Sequence, residues 1–61
     1  MMHRESQVVR VETDEGLAFG IIKEVLAFHC RVDYFINGSW DSDYFEHDDV
    51  EVIGEIGYEV E

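Results

Sequence analysis

The sequence predicts an all-β protein of about five short strands, and three observations carry that prediction. First, Asn37-Gly38 stands between two runs rich in aromatic and β-branched residues. A two-residue type I′ hairpin turn needs positive φ at both central positions, which glycine adopts freely and asparagine tolerates best among the rest. Second, Cys30, Val32, Tyr34 and Ile36 alternate with Arg31, Asp33 and Phe35, the period of a half-buried strand. Third, a valine-rich start (Val8, Val9, Val11) runs into Thr13-Asp14-Glu15-Gly16, which is turn chemistry with a glycine free to take positive φ.

In chain order, Met1 to Gln7 is polar and is expected to fray. Val8, Val9 and Val11, interleaved with Arg10 and Glu12, form the first strand. The segment 17–28, LAFGIIKEVLAF, admits two readings. Leu17, Ile21, Val25 and Phe28 recur at helical spacing, which would make the protein α+β with a helix at 17–28. A strand is preferred, because Gly20 would weaken a helix by about 1 kcal/mol relative to alanine and no N-cap precedes Leu17. The strand reading requires a bulge or strong bend at Gly20 to repair its alternation. Leu26 to His29 then connects to the strand Cys30–Ile36. After the turn, Trp40, Tyr44 and Phe45 mark a fourth strand, His47-Asp48-Asp49 breaks the pattern, and Val50 and Val52 flank Glu51 in a fifth. The chain is expected to be one domain over 1–61, with its core at about 7–53 and a tail at 54–61 that either pairs as an edge strand or trails loosely.

Charge is the loudest compositional fact. Fifteen acidic residues oppose four basic ones, a formal net charge of -11. No lysine or arginine follows Arg31, whereas acids continue to Glu61. Such a surface repels phosphate, which argues against direct nucleic-acid binding and against anionic membranes. A basic protein surface is its complement; solubility alone is the other explanation of the excess. A chain of 61 residues buries a small core, so docking or homodimer formation is a further expectation. Cys30 is the single cysteine, which excludes an intramolecular disulfide and fits a buried thiol in a reducing cytoplasm. No targeting segment is visible at the start, and no apolar run approaches the roughly 20 residues needed to cross a bilayer.

Chemistry-bearing constellations are sparse. Asp41-Ser42-Asp43 with Glu46, Asp48 and Asp49 is not an EF-hand loop, because Phe45 and Glu46 stand where a ligand and the glycine belong. A solvated acidic face is the expected reading. Zinc would need three or four converging N or S ligands, and the candidates are His3, His29, His47 and Cys30. With His3 in a loose end, the other histidines in turns and Cys30 a buried thiol at a strand start, no metal site and no cofactor are expected. Ser6, Ser39 and Ser42 lie in no nucleophile elbow, and there is no phosphate-binding glycine loop, so no enzyme is expected.

The order of a valine-rich strand, an Asp14-Glu15-Gly16 turn, a Phe19-Gly20-Ile21-Ile22 strand, a Val32-Asp33-Tyr34-Phe35 strand, a Trp40-containing strand and a turn before Val50-Glu51-Val52-Ile53 resembles SH3-like small barrels, nearest the Tudor-like and KOW-like groups. The resemblance covers about 7–53. It implies a five-stranded barrel with His47-Asp48-Asp49 as a one-turn 3₁₀ helix before the last strand. It also implies a binding role in place of catalysis, although fold alone does not name the ligand. KOW-type modules contact RNA through basic residues that this chain lacks. Tudor-type modules read methylated or cationic side chains with an aromatic cage, for which Tyr34, Trp40, Tyr44 and Phe45 with Asp41 or Asp43 are the candidates. The reading put first is a non-enzymatic acidic interaction module presenting Trp40, Asp41, Asp43, Tyr44, Glu46, Asp48, Asp49 and Glu51 to a basic protein. Its sharper form is a nucleic-acid-mimicking inhibitor of the kind that small phage proteins provide.

Overall fold

A computed structural model of the protein describes residues 3–55. These residues form one antiparallel sheet of five strands: β1 (Gln7–Thr13), β2 (Gly16–Val25), β3 (His29–Ile36), β4 (Ser39–Glu46) and β5 (Glu51–Glu55). A 3₁₀ turn at His47–Asp49 links β4 to β5, and there is no α-helix among the described residues. The strand order is β4-β3-β2-β1-β5, so the connection through the 3₁₀ turn carries the chain from one edge of the sheet to the other.

The turns follow from local chemistry. Asn37 (φ 54°) and Gly38 (φ 84°) both take positive φ, and Ile36 pairs with Ser39 around them, as the hairpin requires. Between β1 and β2, Gly16 (φ 116°) follows Asp14-Glu15, and the Thr13 Oγ1 accepts the Glu15 N–H at 3.0 Å.

One face of the sheet holds the core: Val9 and Val11 of β1, Ala18 and Ile22 of β2, Cys30, Val32 and Tyr34 of β3, and Val50 beyond the 3₁₀ turn. Phe45 from one edge strand and Val52 from the other pack against this same cluster, so the sheet bends around it. It does not close. Asp41 and Asp43 occupy core-side positions of β4, opposite Tyr34 and Val32. Closure would drive these carboxylates out of water against other acids, at a cost that no partner in the strand repays. The barrel expected from sequence is thus corrected to an open, bent sheet with β4 and β5 as its edges.

Three further expectations change. The segment after Gly16 is strand, which excludes the helix, but its irregularity is not at Gly20. Ile22 pairs with Val32 and Glu24 with Arg31, so Lys23 is the bulged residue. Gly20 instead permits close approach: a Cβ there would lie 2.2 Å from the Asp33 carbonyl oxygen. The start of the chain does not fray from His3 onward. Ser6 takes positive φ (73°) and donates its N–H to Ile22 O at 2.8 Å, while the buried Gln7 accepts the Arg4 N–H through Oε1 at 2.8 Å. At the other end, β5 includes Gly54 and Glu55, so the tail begins later than 54; the rest of it lies outside the described residues.

Candidate functional site

The register of β4 divides the residues expected to form the site. Phe35 opposes Trp40 and Arg31 opposes Tyr44, which puts Trp40 and Tyr44, with Glu46 two positions on, on the outer face. Tyr34 opposes Asp41, Val32 opposes Asp43 and Cys30 opposes Phe45, which puts these three on the core side. Because the sheet is open, Asp41 and Asp43 are exposed there and form one wall of a cleft of about 330 Å³. Glu12, Thr13, Asp14 and Glu15 of the β1–β2 hairpin, with Tyr34 and Phe45, complete its lining.

A second cleft, of about 470 Å³, shares Glu12 and Phe45 with the first and adds Arg10, Val11, Leu17, Asp48, Asp49 and Glu51. The two adjoin as a groove along the unclosed side of the sheet. Its walls hold eight carboxylates: Glu12, Asp14, Glu15, Asp41, Asp43, Asp48, Asp49 and Glu51. The apolar and aromatic residues in its lining are the buried Val11 and Tyr34 and the more exposed Leu17 and Phe45. Arg10, the cation at the rim, is already paired with Glu51.

The electrostatics of the groove register on Tyr34. Burial pushes its phenol above the ordinary value near 10, and the charges of Asp41, Asp43, Glu15 and Asp14 push it further in the same direction. Several walls are held in place. Asn37 Nδ2 donates to Glu15 Oε1 at 2.7 Å, tying the two hairpin tips together. Asp41 and Asp43 each accept the next residue's backbone N–H, from Ser42 and Tyr44, at 2.8 Å. Those bonds, with the charges beside them, blunt an edge strand that would otherwise invite pairing.

No family model matches this chain, and no curated protein or solved structure matches it either.

Of the residues expected at the site, the groove gathers Asp41, Asp43, Asp48, Asp49 and Glu51, and leaves Trp40, Tyr44 and Glu46 outside. It adds Glu12, expected as an outward residue of the first strand, and Asp14 and Glu15, expected as turn residues. Their sole signal was acidity at or beside a hairpin tip, and only the strand order brings that tip beside β4. The aromatic-cage candidates do not converge. Tyr34 and Phe45 meet edge-to-face at 5.8 Å on the core side, whereas Trp40 stacks edge-on against Phe35 at 5.4 Å on the outer face. There Phe19, Phe35 and Trp40 lie in register across β2, β3 and β4 as an exposed aromatic row.

A second cluster was not anticipated. His3, Cys30 and His47, read from sequence as a loose-end histidine, a buried thiol and a surface turn, bring their ligand atoms within 4.8 Å of one another. Cys30 is fully buried, and burial pushes its thiol above its usual value. Both histidines are half-buried. The β3–β4 hairpin register alone places Cys30 near His47, two residues beyond its partner Phe45. His3 carried no such signal, being 44 residues from His47.

Proposed function

We propose that this chain is a non-enzymatic SH3-like interaction module whose acid-walled groove binds a basic protein surface. The observation that carries the reading is the groove itself: eight carboxylates around Leu17 and Phe45, with Arg10 already engaged by Glu51. The strand order with a 3₁₀ turn before the last strand supports the SH3-like reading. A lysine or arginine side chain entering the groove lays its methylene stem on Leu17 and Phe45 and its cationic head among the carboxylates. Carboxylates ranked along a groove also imitate a phosphate backbone, so the partner class named first is a nucleic-acid-binding protein whose own basic groove this module occupies. The free Cys30 thiol fits a reducing, cytoplasmic setting; no helix among the described residues is long and apolar enough to cross a membrane.

The test is fluorescence anisotropy of a labelled arginine-rich peptide titrated with the protein at low and moderate salt. Binding that weakens with salt, and about tenfold (about 1.4 kcal/mol) in an Asp41→Asn/Asp43→Asn/Glu12→Gln variant, is expected. Equal binding by that variant, or an equal loss on Glu46→Gln on the outer face, would remove the groove from the reading. Homodimer formation is a second reading, favoured by the exposed Phe19, Phe35 and Trp40 row. Sedimentation of the wild type and of Trp40→Glu across concentrations addresses it. A single monomeric species for both would retire it.

A further inference from the structure

The hydrogen bonds around His3 and His47 determine which ring nitrogens carry protons. His47 Nε2 lies 2.9 Å from the Leu26 carbonyl oxygen, and His3 Nε2 lies 3.0 Å from the Val50 carbonyl oxygen. A carbonyl only accepts, so both Nε2 atoms are the protonated ones. In the neutral rings both Nδ1 atoms are then bare lone pairs. Yet they face each other at 3.0 Å, in rings stacked 27° from parallel, with Cys30 Sγ 3.6 Å from the Nδ1 of His47. The Cys30 S–H can donate to the Nδ1 of His47, but the two Nδ1 lone pairs repel unless a positive charge sits between them. Imidazoles oriented by backbone carbonyls through the far nitrogen are also how metal-binding histidines are held.

We infer that His3, Cys30 and His47 form a site for one zinc ion, bound through Nδ1 of each histidine and the Cys30 sulfur. The spacing fits the ion. Tetrahedral zinc, with Zn–N about 2.0–2.1 Å and Zn–S about 2.3 Å, separates two nitrogen ligands by about 3.3 Å and nitrogen from sulfur by about 3.6 Å. Two of the three separations are 3.0 and 3.6 Å and all lie within 4.8 Å, so loading requires the rings to part slightly and His3 Nδ1 to draw toward the Cys30 sulfur. The thiol proton passes to water as the sulfur–zinc bond forms, and the two histidines give up no proton. The cleft beside His3 and His47, about 600 Å³ and bordered by Asp48 and Glu51, leaves room for a fourth ligand.

The three ligands come from the N-terminal turn, the start of β3 and the 3₁₀ turn, so the ion clasps segments that no disulfide can join in this chain. Its role is structural. A single proton shared between the two Nδ1 atoms is the competing way to relieve the repulsion, and it predicts no metal uptake.

The full chain, stripped with a chelator, is titrated at neutral pH with zinc chloride by calorimetry, and with cobalt chloride by absorption. One equivalent of zinc is expected to bind and to raise the melting temperature. Cobalt is expected to give the visible bands of tetrahedral coordination together with a near-ultraviolet thiolate-to-cobalt band. His3→Ala lies outside the core, so it should keep the fold while weakening zinc binding by more than about 100-fold, beyond the loss typical of an outer-shell partner. Cys30→Ala should abolish the thiolate band. The inference is overturned if zinc fails to saturate at one equivalent, if cobalt shows no thiolate band, or if His3→Ala binds zinc as the wild type does. None of these outcomes bears on peptide binding in the acidic groove, which is read separately.

Discussion

Gly20→Ala isolates one steric requirement of the sheet. Gly20 sits mid-strand in β2, paired with Val9 of β1 on one side and Tyr34 of β3 on the other. A methyl at this position would lie 2.2 Å from the Asp33 carbonyl oxygen, 2.8 Å from Tyr34 Cα and 2.9 Å from Tyr34 Cβ. Two of those atoms are backbone and the third is bound directly to it, so no rotamer change relieves the contact and β3 itself must move. Overpacking of this kind costs about 1–3 kcal/mol, and an immovable neighbour argues for the upper end. Alanine also restricts the unfolded chain, which returns about 0.4–1 kcal/mol. The net loss is then about 2 kcal/mol, or roughly 8–16 °C in melting temperature for a domain of this size. Gly54→Ala is the control, because a Cβ there meets nothing within 4 Å. Thermal melts followed by far-ultraviolet circular dichroism, in chelator, compare the three proteins. If Gly20→Ala melts within a few degrees of the wild type, or no lower than Gly54→Ala, the close approach of β2 to β3 is not a constraint and the reasoning fails.

The acidic walls should repel one another, so sodium chloride should raise the melting temperature as the Debye length shortens to roughly 10 Å at 0.1 M; a fall with salt would mean that attractive pairs dominate. Tyr34 is neutral in the fold and its pKa is raised, so its contribution is complete below the unfolded value near 10 and is lost as pH climbs through the folded value. Stability should therefore decline in strong alkali, and Tyr34→Phe should remove that part of the decline; identical alkaline profiles would contradict it. Val32→Ala deletes two methyl groups from a fully buried position and should cost about 2–3 kcal/mol by chemical denaturation, whereas Trp40→Ala on the outer face should cost far less.

Much of this molecule was legible in its sequence, because much of it is local. Asn37-Gly38 and Asp14-Glu15-Gly16 specify their turns through which residues tolerate positive φ, and that tolerance depends on no distant neighbour. Alternation in Val9-Arg10-Val11 and in Cys30 to Ile36 names the buried face, since a strand presents alternate side chains to one side. The strand at Gly16–Val25 was legible through what disfavours a helix there, Gly20 and the missing N-cap, and the 3₁₀ turn at His47–Asp49 through the resemblance to SH3-like barrels. What the sequence could not determine depends on strand order and register. The bulge falls at Lys23 because β3 pairs past it, not because lysine favours bulges. The sheet stays open because Asp41 and Asp43 land on the core side only once β4 is paired with β3 in that register. The groove places Glu12, Asp14 and Glu15 opposite those two aspartates only because the bent sheet brings a hairpin tip to its far edge. The convergence of His3, Cys30 and His47 is the extreme case. Residues 44 positions apart meet because Ser6 turns the chain back and donates to Ile22 O, and Val50 O then receives the His3 ring. Such meetings are the outcome of many long-range pairings at once, and no window of sequence contains them.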